Sequence, residues 1–165
     1  MQEQVEENFL ARRRNMGVFS MTEDSENILM WSHYAADHTG FCLEFRTENA
    51  FFSFARRVEY DIALPCVDMH EPMWGKLIGQ GAGGLLTKTQ DWVYEKEWRI
   101  VEVNGVGIHR YPSDALSGVI LGCKMLPDKK KQIKDWLGVR NPRPSLYEAK
   151  EKDHEFGLDI VLICS

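Results

Sequence analysis

The first clear element of the hydrophobic pattern is a run of four apolar residues, 28–31 (ILMW). A helix with such a run has no wet side there, so the pattern predicts a helix whose first half is buried almost all round. Asp24 or Ser25 is the predicted N-cap, because a short polar side chain accepts hydrogen bonds from the first free N–H groups. Gly40 is the predicted stop, since glycine readily adopts the left-handed conformation that ends many helices.

Alternation of apolar and polar residues predicts the strands. The stretch 41–45 (FCLEF) predicts a core strand with the side chains of Phe41, Leu43 and Phe45 on its buried face. A second stretch, 92–103 (WVYEKEWRIVEV), contains a predicted strand over 98–103 and is interpreted as its partner. The other predicted strands cover residues 17–21, 57–62, 108–111, 117–121, 145–149 and 157–163.

Charge order and proline placement predict further helices. Residues 2–14 carry acids early and arginines late, which complements the helix dipole and predicts a helix. Pro127 is well placed to begin a helix that runs to residue 137, because proline favours the first helical position. One helical turn is predicted within 49–54, and the glycine-rich stretch 73–88 is interpreted as a loop or broken helix.

These elements predict an α+β fold with a mixed, largely antiparallel sheet and helices packed on it. The chain has 165 residues, of which 44% are hydrophobic and 27% are charged. Both values are ordinary for a globular domain, and the length is sufficient to bury a sizeable core. We therefore expect a single domain over residues 1–165, made of an N-terminal helix within 1–16 and a core over 17–163.

Net charge and cysteine usage narrow the expected location and partners. The net charge of −5 disfavours a protein that coats nucleic acid, whose affinity comes largely from neutralised phosphates. Residues 2–8 (QEQVEEN) lack the basic and apolar regions of a secretory signal, and no apolar run approaches the roughly 20 residues that span a bilayer. The four cysteines form no CxxC pair, and three of them lie in or beside apolar runs, so they are interpreted as small buried hydrophobic residues and the expected location is cytoplasmic.

The first polar group lies on the predicted central helix. His33 and Asp37 are four residues apart, a spacing that places side chains together on a helix. A carboxylate in that position fixes an imidazole tautomer and raises its basicity, which prepares a general base. The alternative is a structural histidine that satisfies a buried helix. His33 and His38 are five apart and no HxxxH or HExxH spacing occurs, so no metal is assigned.

The second polar group lies in the partner stretch. Glu95, Glu97 and Arg99 alternate, so at strand spacing they point to one side and give two carboxylates and a guanidinium on one face. Such a set can hold a ribose or stabilise a developing cation. The alternative is a salt-bridged rim around a buried Trp98. The sequence does not choose between these two interpretations.

Distinctive motifs occur in three parts of the chain, at residues 30–35 (MWSHYA) with 38–45 (HTGFCLEF), at Lys88 ahead of 92–99 (WVYEKEWR), and at 119–122 (VILG). In this order they resemble an uncharacterised, mostly bacterial family, domain-of-unknown-function family 2971. The resemblance covers about residues 17–163 and implies that members carry an earlier segment, so that this chain is a short member.

The family has no settled activity, so the resemblance carries over no cofactor. The pair Glu95-x-Glu97 is similar to the acidic motif of ADP-ribosyltransferases, in which one carboxylate binds the nicotinamide ribose and helps to form an oxocarbenium-like state. This second likeness implies that His33 or Tyr34 stands where those enzymes have their NAD-contacting histidine and tyrosine. It does not establish that the protein is an enzyme.

We expect a small-ligand or nucleotide pocket between the Ser32–His38 helix and the Glu95–Arg99 strand, with ADP-ribosyltransferase-like chemistry. The competing hypothesis is a non-catalytic interaction module whose polar motifs are structural. We also expect a homodimer, because a short member would expose an apolar surface beside its N-terminal helix. The expected catalytic residues are Glu97 and His33, and the expected ligand-binding residues are Ser32, Tyr34, Glu95 and Arg99.

Overall fold

The computed structural model describes residues 16–63, 85–102 and 106–164. The chain divides into two compact units, one made of Met1–Glu23 and Phe54–Arg110, the other of Asp24–Ser53 and Tyr111–Ser165. The helix predicted over 2–14 lies outside the described residues, as does most of the glycine-rich stretch.

Helices and strands alternate irregularly, and most strand pairs are antiparallel, which confirms the α+β class. Short 3-10 helices cover Phe52–Phe54, Gln90–Glu95 and Ser113–Ala115. The other elements are β1 (Gly17–Thr22), α1 (Ile28–Tyr34), β2 (Phe41–Phe45), β3 (Arg56–Arg57), β4 (Glu59–Asp61), β5 (Thr87–Thr89), β6 (Glu97–Glu102), β7 (Leu116–Leu121), α2 (Pro127–Gly138), β8 (Ser145–Glu151) and β9 (Leu158–Cys164).

In the first unit, β6 is the middle strand of a three-stranded antiparallel sheet with β1 on one side and β3 on the other. A separate parallel pair joins β4 to β5. The single strand predicted over 57–62 is wrong, because the chain changes partner at Val58. The side chain of Val58 is buried, and its N–H donates to the carbonyl of Glu97 at 2.9 Å.

In the second unit, four strands form a sheet in the order β2, β7, β8 and β9, with β7 and β8 parallel. Alternate residues of β7 face opposite sides of the sheet. Val119 and Leu121 pack with Ile133 and Leu137 of α2, while Ile120 belongs to the cluster around Trp31 of α1. Both predicted helices of this unit therefore contribute to its core.

Strand β2 lies where the sequence predicts it, but its buried face is the other one. Cys42 is opposite Ile120 and packs against the Trp31 cluster. Phe41 and Leu43 are exposed, because β2 is an edge strand and the core under α2 is built from residues of β7 and β8. The strand predicted over 108–111 is absent, since those residues pair with no strand of the described chain.

The central helix α1 is shorter than predicted. Its N-cap is Asn27, whose side-chain oxygen accepts hydrogen bonds from the N–H groups of Leu29 (2.9 Å) and Met30 (3.4 Å), and neither Asp24 nor Ser25 takes this role. Trp31 is 3% exposed, as predicted. Leu29 is exposed, so the first half of the helix is not buried all round.

The chain leaves α1 through a left-handed turn. Ala36, Asp37 and His38 have φ values of 47°, 52° and 67°, so the stop lies before Gly40, which does not take a positive φ. Helical spacing ends at Tyr34, and the predicted His33–Asp37 pair on one helix face is therefore wrong.

Strand β7 holds this turn in place through the residues that follow it. The N–H of Gly122 donates to the carbonyl of Gly40 at 2.9 Å, and the N–H of Lys124 donates to the carbonyl of His38 at 3.1 Å. A Cβ atom at position 122 would lie 2.1 Å from the carbonyl oxygen of His38. Only glycine allows the backbone to approach this closely.

Candidate functional site

The two predicted acids of the first unit are both buried. Glu95 is 2% exposed and Glu97 is 6% exposed. Glu95 ends the 3-10 helix, Lys96 turns the chain with a φ of 46°, and β6 begins at Glu97. The predicted common strand face is thus correct for Glu97 and Arg99 and wrong for Glu95, which reaches the cluster from a helical turn.

Four charged side chains form what we call the charged cluster: Lys88, Glu95, Glu97 and Arg99. Arg99 binds Glu97 with two hydrogen bonds of 2.8 Å, from Nε to Oε1 and from Nη2 to Oε2. Lys88 Nζ donates to Glu95 Oε2 and lies 3.4 Å from Glu97 Oε2. Arg99 Nη1 also donates to the carbonyl of Leu85. Two acids and two bases thus compensate one another in a largely buried volume.

Side-chain hydroxyls from two other strands hold the backbone of the two acids. Tyr60 of β4 accepts a hydrogen bond from the N–H of Glu97 through its hydroxyl oxygen at 2.8 Å. Thr22 of β1 donates its hydroxyl to the carbonyl of Glu95 at 2.7 Å. Three separate strands therefore position this site, and local spacing shows only the contribution of β6.

The surroundings of Glu97 favour its charged form. Burial raises the pKa of this carboxyl. Hydrogen bonds from Arg99 and Ser20, together with the charges of Arg99 and Lys88, lower it by more than burial raises it, so the pKa lies below its usual value. Glu97 is therefore ionised near neutral pH. A carboxylate in this state is unsuited to act as a general acid and suited to face positive charge.

Acid should weaken the contribution of Glu97 to stability. Its folded pKa is lower than its unfolded pKa of about 4.3, so the contribution is complete above that pH and is lost as the pH falls through the folded pKa. We expect the stability difference between the wild type and Glu97→Gln to be largest near pH 7 and to shrink below about pH 4. Urea denaturation of both proteins between pH 2.5 and 7 measures this difference. A constant difference would contradict the predicted pKa shift.

Lys88 is the member of the cluster for which the sequence analysis predicted no role. Its ammonium also lies 4.8 Å from the ring centroid of Trp92, which stands 6.0 Å from the ring of Tyr94. Lys88 is on β5, separated from β6 by the 3-10 helix, so no helical or strand period connects it to Glu97. The one indication in the sequence that Lys88 belongs to the site is its position ahead of the motif 92–99 (WVYEKEWR).

The alternative, a salt-bridged rim around a buried Trp98, is wrong because the tryptophan and the acids have the opposite burial. Trp98 is only partly buried, and both carboxylates are more buried than it is. The indole Nε1 of Trp98 donates to Glu23 Oε2 at 3.0 Å, and Glu23 also pairs with Arg57 at 3.1 Å. The charged cluster is therefore an interior feature of the first unit.

The other predicted site residues lie in the second unit. His33 and Tyr34 are exposed on α1, with their rings in edge contact at 6.2 Å. Ser32 is half-buried, and its Oγ lies 3.1 Å from Nε2 of His38, a histidine outside the predicted set. The predicted pocket shared by His33 and Glu97 draws on residues of different units and stays a prediction.

Three further features of the described part of the chain concern metal sites, membrane-spanning helices and free cysteines. Residues 16–63, 85–102 and 106–164 contain no group of three or more histidine, cysteine or acidic side chains that could hold a metal ion. Within the same residues, no helix is long and apolar enough to cross a membrane. Cys42, Cys123 and Cys164 are free thiols, and burial raises the pKa of Cys42.

One protein-family model matches part of the chain. Residues 30–63 match the family model DUF2971, described as a protein of unknown function. This partial match confirms the resemblance over that stretch. The DUF2971 match contains Ser32 and His38, whereas the charged cluster lies outside it. No curated protein and no solved structure matches the chain significantly.

Proposed function

We propose that the first unit binds a nucleotide at the charged cluster. The observation that carries this proposal is the burial of two ionisable acids beside two cations, with Glu97 held in its charged form. Removing such charges from water is unfavourable, and a buried ion pair is often no better for stability than apolar residues of similar volume. A buried carboxyl with a shifted pKa, such as Glu97, occurs preferentially at functional sites.

The chemistry of the cluster matches the parts of a nucleotide. Carboxylate oxygens accept hydrogen bonds from ribose hydroxyls, and the ammonium of Lys88 and the guanidinium of Arg99 suit phosphate oxygens. The 3.4 Å contact between Lys88 and Glu97 is longer than the two 2.8 Å bonds from Arg99. A ligand hydroxyl can replace this weaker contact while Arg99 keeps Glu97 ionised.

The finer proposal is chemistry like that of ADP-ribosyltransferases. A fixed negative charge stabilises an oxocarbenium-like ribose more strongly in a water-poor site than in water. Glu97 is negatively charged near neutral pH, and it is 6% exposed. In this proposal Glu97 faces the developing positive charge, Glu95 accepts from a ribose hydroxyl, and Arg99 maintains the charge of Glu97.

The second proposal is a non-catalytic interaction module with a structural polar core. It is favoured by the ion pairs within the cluster, because Lys88 and Arg99 already bind both acids. A cluster satisfied in this way needs no ligand. The two proposals therefore differ in whether any nucleotide stabilises the folded chain.

A thermal-shift titration of the full chain with NAD, ADP-ribose, AMP and inorganic phosphate separates the two proposals. A ligand that binds only the folded state adds about 2.7 kcal/mol of stability at a concentration 100 times its Kd. The nucleotide proposal predicts a rise in Tm of several degrees with NAD or ADP-ribose. An unchanged Tm with every compound at millimolar concentration would support the structural proposal instead.

Variants locate the bound ligand. Lys88→Met should reduce the ligand-induced rise in Tm, whereas Lys130→Met should leave it unchanged. Lys130 is a matched control, because it also pairs with a glutamate, Glu148 of β8 in the second unit. If NAD binds, Glu97→Gln should abolish nicotinamide release while the Tm still rises with NAD. Equal release by Glu97→Gln and the wild type would contradict the ADP-ribosyltransferase-like step.

A further inference from the structure

The half-buried Ser32 hydroxyl and the imidazole of His38 form a polar pair in the second unit. Ser32 Oγ lies 3.1 Å from His38 Nε2, which is hydrogen-bonding distance for a nucleophile and its base. We propose that Ser32 is a nucleophile activated by His38, and that it accepts an acyl group from an activated ester. This inference is independent of the nucleotide proposal.

The fold fixes the imidazole rather than leaving it free to rotate. Its ring stacks on Trp31 with centroids 6.5 Å apart and an interplanar angle of 12°. The backbone of His38 is held by Lys124, and its left-handed φ is part of a turn of three non-glycine residues. Strained backbone of this kind persists where the surrounding structure enforces it and is concentrated at functional sites.

The step requires only groups that the pair and the ester contain. Ser32 Oγ attacks the ester carbonyl carbon while its proton moves to His38 Nε2, and the carbonyl π electrons pass to the carbonyl oxygen. When the carbonyl reforms, the bond to the leaving alkoxide breaks and its oxygen takes the proton from Nε2. The products are an acylated Ser32 and an alcohol. The imidazole returns to its neutral form.

The surroundings of the pair favour an acyl group over a phosphoryl group. Transfer of a phosphoryl group needs cations that stabilise the charge on its oxygens. The ring of His38 instead lies against the indole of the buried Trp31, and no ion pair of the described residues involves Ser32 or His38. A neutral ester carbonyl needs no such cation to bind.

One atom limits the expected rate. Nδ1 of His38 is buried and has no hydrogen-bond partner among the described residues. In a serine triad, a carboxylate accepts a hydrogen bond from Nδ1–H and so keeps the imidazole in the tautomer whose Nε2 can accept a proton. Replacing that carboxylate by an amide lowers kcat about 10⁴-fold. We therefore expect slow acylation of Ser32 and accumulation of the acylated protein, without rapid turnover.

The test is incubation of the full chain with p-nitrophenyl acetate, followed by peptide mass spectrometry. We expect an acetyl group on Ser32, formed at least tenfold more slowly in His38→Asn and absent at this position in Ser32→Ala. Asparagine tolerates the left-handed φ of residue 38, so this variant retains the turn. Ser117→Ala is the matched control, because its hydroxyl binds the Glu44 carboxylate, and it should leave acetylation of Ser32 unchanged.

Two acetylation results would overturn the proposal. One is the absence of an acetyl group on Ser32 in wild-type protein whose fold is verified by circular dichroism. The other is undiminished acetylation of Ser32 in folded His38→Asn. A nitrogen NMR spectrum of the imidazole provides a second measurement, because a proton resident on Nδ1 supports the base role of Nε2 and a proton on Nε2 contradicts it.

Discussion

Replacement of Trp31 by alanine should lower the free energy of unfolding by about 3–5 kcal/mol. Trp31 is 3% exposed and packs with Ile120, Ala149 and Leu158 between α1 and the sheet. Its indole also donates to the carbonyl of Ser25 at 2.8 Å, so the change leaves both a cavity and an unpaired acceptor. Urea denaturation followed by far-ultraviolet circular dichroism measures the loss.

Two other tryptophans provide matched controls for this change. Trp136 is 59% exposed on α2, and its replacement by alanine should cost less than about 1 kcal/mol. Trp98 is partly buried and donates to Glu23, so its replacement should cost about 2 kcal/mol. A loss below about 1 kcal/mol for Trp31→Ala, or the same loss at all three positions, would contradict the burial pattern described for the two units.

Replacement of Arg99 by methionine should lower the free energy of unfolding by about 3 kcal/mol, because it leaves the buried Glu97 without its two strongest hydrogen bonds. The loss should shrink in acid. Removing Arg99 takes away two of the causes that lower the pKa of Glu97, its hydrogen bonds and its charge, so this pKa should be higher in the variant than in the wild type and protonation of the carboxyl should relieve the variant. Chemical denaturation of the wild type and the variant at pH 7 and pH 4 measures both effects.

Arg57→Met is the control for this prediction. Arg57 pairs with Glu23 at 3.1 Å, but its side chain is 62% exposed, and exposed pairs contribute about 0–1 kcal/mol. A double variant, Glu97→Gln with Arg99→Met, removes both charges and should recover part of the stability that Arg99→Met loses. If Arg99→Met is no more harmful than Arg57→Met, the charged cluster is not the buried network that its geometry indicates.

The strongest local signals of the sequence predicted much of the fold. Pro127 at the start of α2, the apolar strand before Gly122 and the buried Trp31 all lie where the pattern places them. Each of these signals is short-range, because helix starts, apolar strands and a buried aromatic residue in an apolar run depend on neighbours a few residues apart.

The candidate site was predicted only where its residues share one strand. Glu97 and Arg99 are two residues apart on β6, so strand alternation alone places them together. The helical spacing of His33 and Asp37 failed, because the helix ends first and the turn directs His38, not Asp37, toward the α1 residues. Nothing in helical spacing joins Ser32 to a residue six positions away.

By itself, the sequence determined the α+β class, the central helix with its buried tryptophan, and the two polar motifs. Only the tertiary structure decided which polar residues meet. Lys88 reaches Glu97 because β5, the 3-10 helix and β6 fold together, and His38 reaches Ser32 in a left-handed turn that approaches Gly122 of a distant segment. Periodicity describes which side of one element a residue occupies. It carries no information about contacts between elements, and those contacts build both sites.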